Sequence, residues 1–328
     1  MIVNEQQQPI KVESADIARH VGLDVAARAA EQAALAQACG ESRAERVMLA
    51  YAGGWLRLMA AAVPTAGVVG YKQFHLADGN KVRYTVHLFD LATGSPIGIV
   101  DAALITTLRT AATAAFAART FFGAGAGPLT LAVVGSGAEA EAGVLALGHL
   151  QELKSVRVFS RSVENRSRLA ARLGHDGLEA SAADSVHEAL AGADLVYVAT
   201  NSGGQVVLCH EDIAHLPFVA SIGSTLPAQR ELDSEVFLRA GRIVLDTFDA
   251  LKESGDLIAA RERGFRGDGV RLLGDMEPGA PDIAAPTVFK SIGSPEQDVL
   301  LAHAIIQRAA ADGFGTRIAP LQSVKVNL

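Results

Sequence analysis

The stretch Leu129–Leu147 reads LTLAVVGSGAEAEAGVLAL, an apolar strand that runs into a glycine turn and then into an alanine-rich helix. Gly135, Gly137 and Ala140 fall on the G-x-G-x-x-G/A spacing with which such a turn receives a dinucleotide pyrophosphate on a helix N-terminus. Gly135 permits the tight turn, Gly137 removes the Cβ that would hold a phosphate away from the backbone, and Ala140 lets helix and strand pack closely. The spacing also occurs in plain strand-to-helix connections. Here both flanks carry the required patterns, and a Rossmann-type, doubly wound α/β fold is expected.

Val156–Ser162 (VRVFSRS) reads as the next parallel strand and its exposed tip. An NAD-specific fold usually places Asp or Glu at that tip to hold the ribose 2′-hydroxyl. This chain has Ser160, Arg161 and Ser162 there. A guanidinium flanked by two hydroxyls suits a 2′-phosphate, because Arg offers several donors in a fixed fork and keeps its charge. NADP(H) is therefore the favoured cofactor and NAD(H) the second choice; the alternative for Arg161 is a solvated loop charge.

The chain has 328 residues, enough for two domains, and a fold of this size buries about three quarters of its unfolded surface. A formal net charge of −7, with no basic cluster or interleaved aromatics, argues against nucleic acid and anionic membrane surfaces as partners. The N-terminal MIVNEQQQPIKVESADIARHVG has no charged region followed by an apolar run, and no later stretch reaches about 18 uninterrupted apolar residues. These features point to the cytosol. Cys39 and Cys209 are far apart and outside any C-x-x-C, so each is expected as a small buried residue. The nine His show no ligand spacing, and no metal site is expected.

Ile17–Cys39 has a helical pattern that stops near Gly40, and Ala44–Asp101 reads as a run of strands in which Lys81–Asp90 and Ile97–Asp101 flank the turn LATGSP. Ile105–Phe122 is a helix dense in small residues with a Thr cap, able to pack tightly or to receive an anion at its start. Gly123–Pro128 (GAGAGP) is the expected domain boundary. Further parallel strands fit Leu195–Ala199, Phe218–Ile222 and Arg242–Leu245, and Val299–Ala311 is a final helix. The expected division is a dinucleotide domain over 125–301, with 1–124 and 302–328 forming an α+β substrate-binding and dimerisation domain.

Several ordered motifs extend beyond the glycine turn: GYK (70–72), FDLATG (89–94), TLRTAA (107–112), ADLVYVATNS (193–202), IGSTLPAQREL (222–232), ALKESGDL (250–257) and TVFKSIGSPEQD (287–298). Together they resemble the ornithine cyclodeaminase and mu-crystallin family, which also contains imine reductases and some amino-acid dehydrogenases. The resemblance covers nearly the whole chain. It implies a homodimer acting on a small imino or amino acid.

Three cations match positions that, in this family, grip an α-carboxylate. Lys72 and Arg109 match motif positions directly and are the candidate catalytic residues; Arg46 matches by its spacing to Met59. Charge-assisted donors are what a carboxylate needs in a partly dry pocket. Each has a plainer alternative: a strand-end surface lysine for Lys72, a pair with Glu41 or Glu45 for Arg46, and contact with the cofactor pyrophosphate for Arg109. On the cofactor side the resemblance implies Gly137, Ala138 and Glu139 along the pyrophosphate, and Ser160, Arg161, Ser162 and Asn165 around the 2′-phosphate. It adds Thr110, Thr200, Asn201 and Ile222, with Thr85 and Ser291 near the nicotinamide. Asp298 either orders that region or is a carboxylate stabilised at a helix start.

Two departures separate the chain from true cyclodeaminases. Those enzymes carry an Asp where this chain has Thr225, a substrate-binding position, and an acid where it has Arg57. Cyclodeamination needs such acids to hold and deprotonate amines, whereas imine reduction does not. The expected activity is NAD(P)H-dependent reduction of an imino acid of the Δ1-pyrroline-2-carboxylate type. Alternatives are an amino-acid dehydrogenase such as one for L-alanine, a cyclodeaminase, and a low-turnover ligand-binding protein of mu-crystallin type. Arg57 either meets a second anionic group on the substrate or lies on the surface, the reading preferred here.

Overall fold

The computed structural model describes residues 8–77, 81–279 and 285–319. The chain divides into two compact units, 1–109 with 294–328 and 110–293. The division falls at Arg109/Thr110 and Gly293/Ser294, not at the glycine-rich stretch 123–128. The end of the C-terminal segment, 320–328, lies outside the described residues.

In chain order the first unit begins with β1 (Ile10–Val12), α1 (Ser14–His20) and α2 (Leu23–Ala38). A meander follows: β2 (Arg43–Tyr51), β3 (Gly54–Val63), β4 (Val68–Ala77), β5 (Lys81–Asp90) and β6 (Pro96–Asp101). The helix expected from Ile105 starts earlier, as α3 (Ala103–Phe122). Its first amide is held by the Asp101 carboxylate at 3.1 Å, and the Thr106 hydroxyl instead donates back to the Ala102 carbonyl at 3.1 Å, which removes the expected Thr cap.

The second unit holds β7 (Leu129–Val134), α4 (Ala138–Leu150), β8 (Leu153–Phe159), α5 (Val163–His175), β9 (Ala180–Ala182), α6 (Val186–Leu190) and β10 (Leu195–Val198). It continues with α7 (His210–Ile213), β11 (Phe218–Ser221), α8 (Ser234–Arg239), β12 (Arg242–Leu245), α9 (Ala250–Glu253), α10 (Gly255–Glu262), β13 (Arg271–Leu272) and β14 (Thr287–Lys290). The chain then returns to the first unit with α11 (Pro295–Asp312) and β15 (Thr316–Arg317).

The second unit's sheet runs β13-β12-β14-β11-β10-β7-β8-β9, and its strand pairs are parallel. The order reverses between β7 and β10, the switch point at which a doubly wound sheet opens a crevice for a dinucleotide. Strands buried on both faces explain the unbroken apolar runs: Leu131–Val134, Leu195–Val198 and Phe218–Ala220 are all buried.

The first unit's sheet runs β15-β1-β6-β5-β4-β3-β2. In β3 the residues Arg57, Met59, Ala61 and Val63 are buried and alternate with half-buried ones, so one face of the meander is covered. Arg57 is only 8 % exposed, which overturns its expected surface position. Period-2 alternation puts it on the covered face with Met59. Cys39 and Cys209 are exposed, not buried, because each sits at a helix end, Cys39 as the C-cap of α2 and Cys209 as the N-cap of α7. No helix among the described residues is long and apolar enough to cross a membrane, and no His/Cys/Asp/Glu group among them could hold a metal.

Candidate functional site

The covered face of the first unit carries a charged cluster. Register pairs Arg46 with Met59 and Met59 with Lys72, so these three side chains share one face across β2, β3 and β4. Lys72 is 1 % exposed, and its Nζ lies 2.6 Å from Asp298 Oδ2 in the first turns of α11. Arg109, buried in the second turn of α3, approaches Asp298 Oδ1 with its Nε at 3.4 Å and donates to Gln297 Oε1 at 3.3 Å. The same Gln297 oxygen accepts from the Ser294 amide, so the capping box that starts α11 also orients Arg109.

Burial is the largest influence on the Lys72 ammonium and outweighs the Asp298 carboxylate, with Arg109 and Arg46 adding repulsion; its pKa falls from 10.5 to about 8. Lys72 is therefore charged at neutral pH yet close to its titration point, a state suited both to gripping an anion and to passing a proton. Asp298 is fully buried and engaged with Lys72, so it is more than a dipole-stabilised helix start. The Phe74 ring lies under Lys72 Nζ at 5.1 Å and under Arg57 Cζ at 5.8 Å, which places Arg57 beside the cluster. Thr85 is not brought here. It pairs with Gln73 on the opposite face of β5 from Val86, and its hydroxyl meets His87 at 3.3 Å.

In the second unit Gly135 has φ +131°, and a Cβ there would meet the Ala199 carbonyl oxygen at 2.1 Å. Only glycine fits this crossing between β7 and the end of β10. Gly137 is the N-cap of α4, no side chain caps its first turn, and the space where its Cβ would point is open. Ala138 is exposed, Glu139 half-buried and Ala140 fully buried. This arrangement fits a pyrophosphate, since open amides at a helix N-terminus favour an anion.

At the β8 tip, Ser160 accepts from the Ser136 hydroxyl at 2.9 Å and donates to the Ser162 carbonyl at 3.1 Å. Arg161 is exposed. Ser162 caps α5 by accepting the Asn165 amide at 3.2 Å, while Asn165 Oδ1 accepts from Arg168. Sequence reasoning passed over Arg166. This buried residue braces the tip through the Ser160 carbonyl at 3.1 Å and Asp184 at 2.8 Å.

Thr200 and Asn201 follow β10, Ile222 and Thr225 follow β11, and Ser291 follows β14, all at the carboxyl edge of the sheet. Thr225 bonds through both its amide and its hydroxyl to Gln229 Oε1, at 3.0 and 3.2 Å. Ser291 donates to Asp246 Oδ2 at 2.6 Å, and the same carboxylate accepts the Ile292 and Gly293 amides at 3.1 and 2.7 Å. Thr110 is buried in the part of α3 that belongs to this unit. Asp246 and Glu231 hold these loops; Glu231 carries no sequence signal beyond lying in the quoted motif 222–232, and Asp246 none beyond following the strand Arg242–Leu245.

Residues 10–313 match the ornithine cyclodeaminase/mu-crystallin family. The chain belongs to that family. It is 35% identical over 225 residues to an NAD(P)H-dependent anabolic L-arginine dehydrogenase of Pseudomonas aeruginosa, covering 66% of this chain and 69% of that one. A Δ1-pyrroline-2-carboxylate reductase of Bacillus cereus is 26% identical over 241 residues, 71% of this chain and 73% of its own length. The iminosuccinate reductase of Paracoccus denitrificans, solved with NAD+, superposes with a TM-score of 0.86 at 26% identity, covering 94% of this chain and 98% of that one.

Proposed function

We propose that this chain is an NADPH-dependent reductase that converts imino acids of the Δ1-pyrroline-2-carboxylate type to L-α-amino acids. The observation that carries the reading is the buried Lys72–Asp298–Arg109 cluster on the covered face of the first unit. Two cations with one shared carboxylate leave the group net positive, and an α-carboxylate restores the balance. Thr225 and Arg57 supply no acid for binding amines, and this favours reduction over cyclodeamination.

A nicotinamide dinucleotide, when bound, supplies the hydride that reduces the imine carbon. Lys72 and Arg109, with Arg46, hold the substrate carboxylate and so orient the C=N bond. The Lys72 ammonium releases a proton to the imine nitrogen, and Asp298 at 2.6 Å receives the neutral amine in a hydrogen bond until it is recharged. Gly135, Gly137, Ala138 and Glu139 would receive the pyrophosphate, with Arg161 and Ser160 at a 2′-phosphate. The exposed Arg161 and the absence of an acid among residues 160–162 support NADPH over NADH.

A second reading, an amino-acid dehydrogenase that handles an acyclic amino acid and its imino acid with the same grip, is favoured by the 35% identity to the NAD(P)H-dependent anabolic L-arginine dehydrogenase. A panel of cyclic and acyclic imino acids assayed with NADPH and NADH separately, together with the corresponding amino acids and oxidised cofactors, tests both. We also propose a homodimer built on β2. This strand ends its sheet and exposes Val47, Met48, Leu49 and Tyr51 by 45% or more each, an apolar edge suited to a second copy. Light scattering on the intact chain checks it.

A further inference from the structure

We propose that the buried Glu231 carboxylate, neutralised by Lys290, is a positioning residue that fixes three loops at the carboxyl edge of the parallel sheet and thereby sets affinity for the nicotinamide half of the cofactor. The inference rests on the cofactor reading above. Glu231 lies between β11 and α8 and is 1 % exposed. Both its oxygens are fully used. Oε1 accepts from the Thr200 amide at 2.6 Å and the Thr200 hydroxyl at 2.7 Å, just beyond β10. Oε2 accepts from the Ser221 hydroxyl at 2.8 Å and the Gly223 amide at 2.7 Å, at the end of β11.

Lys290 closes the third side. It is the last residue of β14 and fully buried; its Nζ lies 3.9 Å from Glu231 Oε2 and donates to Ser221 Oγ at 2.9 Å. The same ammonium faces Asp256 Oδ2 at 3.5 Å, while Asp256 Oδ1 accepts the amides of Glu231 and Leu232 at 2.9 and 3.2 Å and Arg230 Nε at 3.2 Å. In the register Ser221 stands opposite both Val198 and Lys290, so a single carboxylate ties together the ends of three adjacent parallel strands.

Those strand ends are where a doubly wound sheet receives a dinucleotide, and Thr200, Ile222 and Ser291 are each bonded to this network or adjacent to a residue that is. The fit is close at Gly223, where a Cβ would stand 2.2 Å from Glu231 Oε1 and 2.6 Å from the Thr200 carbonyl. Apolar residues would hold these strands together as well as buried charges do, at less desolvation cost. What they would not supply is directional bonding to chosen loop amides. The adenine-side tip at 160–165 makes its described bonds elsewhere, to Ser136, Arg166 and Arg168.

The test is titration of the intact chain with NADPH and with adenosine 2′,5′-bisphosphate, which carries the adenine side alone. Glu231→Gln keeps the shape and removes the charge. It should weaken NADPH by about tenfold or more while adenosine 2′,5′-bisphosphate stays within about twofold, and Glu231→Asp should recover part of the loss. Thr200→Val deletes one bond to Glu231, and Ser221→Ala deletes its bond to Glu231 together with the one it accepts from Lys290; both should show the same selective loss at smaller size, and they carry the test if Glu231→Gln does not fold. Equal weakening of both probes, or unchanged NADPH affinity in all folded variants, overturns the inference. A parent protein that binds neither probe overturns the cofactor reading beneath it.

Discussion

Replacing Lys72 with Met separates a substrate-gripping role from a structural one. A charge-assisted contact to a bound carboxylate contributes about 1.5–3 kcal/mol, so its loss should lower kcat/KM by roughly 10- to 150-fold. The substitution also leaves Asp298 buried with Arg109 Nε at 3.4 Å, where Lys72 Nζ had been at 2.6 Å. Orphaning one partner of a buried pair costs about 3–5 kcal/mol, and the remaining Arg109 contact should keep the loss below that range. The double variant Lys72→Met/Asp298→Asn removes the stranded charge. It should recover thermal stability without recovering activity, because the substrate carboxylate still lacks its ammonium. The assay is steady-state NADPH oxidation with an imino acid, run beside thermal unfolding of the parent and both variants. Recovery of activity along with stability in the double variant would show that Lys72 serves only to neutralise Asp298.

With Lys72 titrating near 8, kcat/KM should fall as pH rises through that value, and the limb should vanish in Lys72→Met; a pH–rate profile of both proteins checks this. The unfolded chain holds the lysine proton to about 10.5, so between about 8 and 10.5 it binds more protons than the native state. Lys72 then makes the fold more stable as pH rises over that window, and the activity loss is not unfolding. NADPH should bind more tightly than NADH, and Arg161→Ala should narrow the gap; equal affinities in the parent by fluorescence titration would defeat the 2′-phosphate assignment. Ornithine with NAD should release little ammonia, since Thr225 and Arg57 offer no acid to hold or deprotonate an amine. Rapid proline formation in that assay would mean that another carboxylate performs the deprotonation.

The parallel half of the fold was legible because its strands are buried on both faces and advertise themselves as apolar runs between glycine turns. β14 is the instructive omission: Lys290 ends it, and a buried lysine inside TVFKSIG reads as a loop or motif until Glu231 and Asp256 are seen around it. Lys72 and Arg109 were legible through their motifs. Their shared partner was not, because a helix-start Asp such as Asp298 is explained equally well by the dipole until three-dimensional packing brings Lys72 to it. Arg57 looked like a surface residue by its charge, whereas strand alternation with Met59 places it inward; charge misled where period-2 spacing was the better guide. Thr85, expected near the nicotinamide, is placed by strand register and not by its motif. Only the register between β4 and β5 reveals that it faces away from Lys72.

The most direct test of the central claim is the fate of hydride: the parent enzyme with Δ1-pyrroline-2-carboxylate and NADPH deuterated on the transferring face of C4, with the product read by mass spectrometry and chiral chromatography. The account predicts L-proline carrying one deuterium at the α-carbon, at a rate that drops at least about tenfold in Lys72→Met. Failure to oxidise NADPH with this or any other cyclic or acyclic imino acid, in a protein that binds the cofactor, would contradict it.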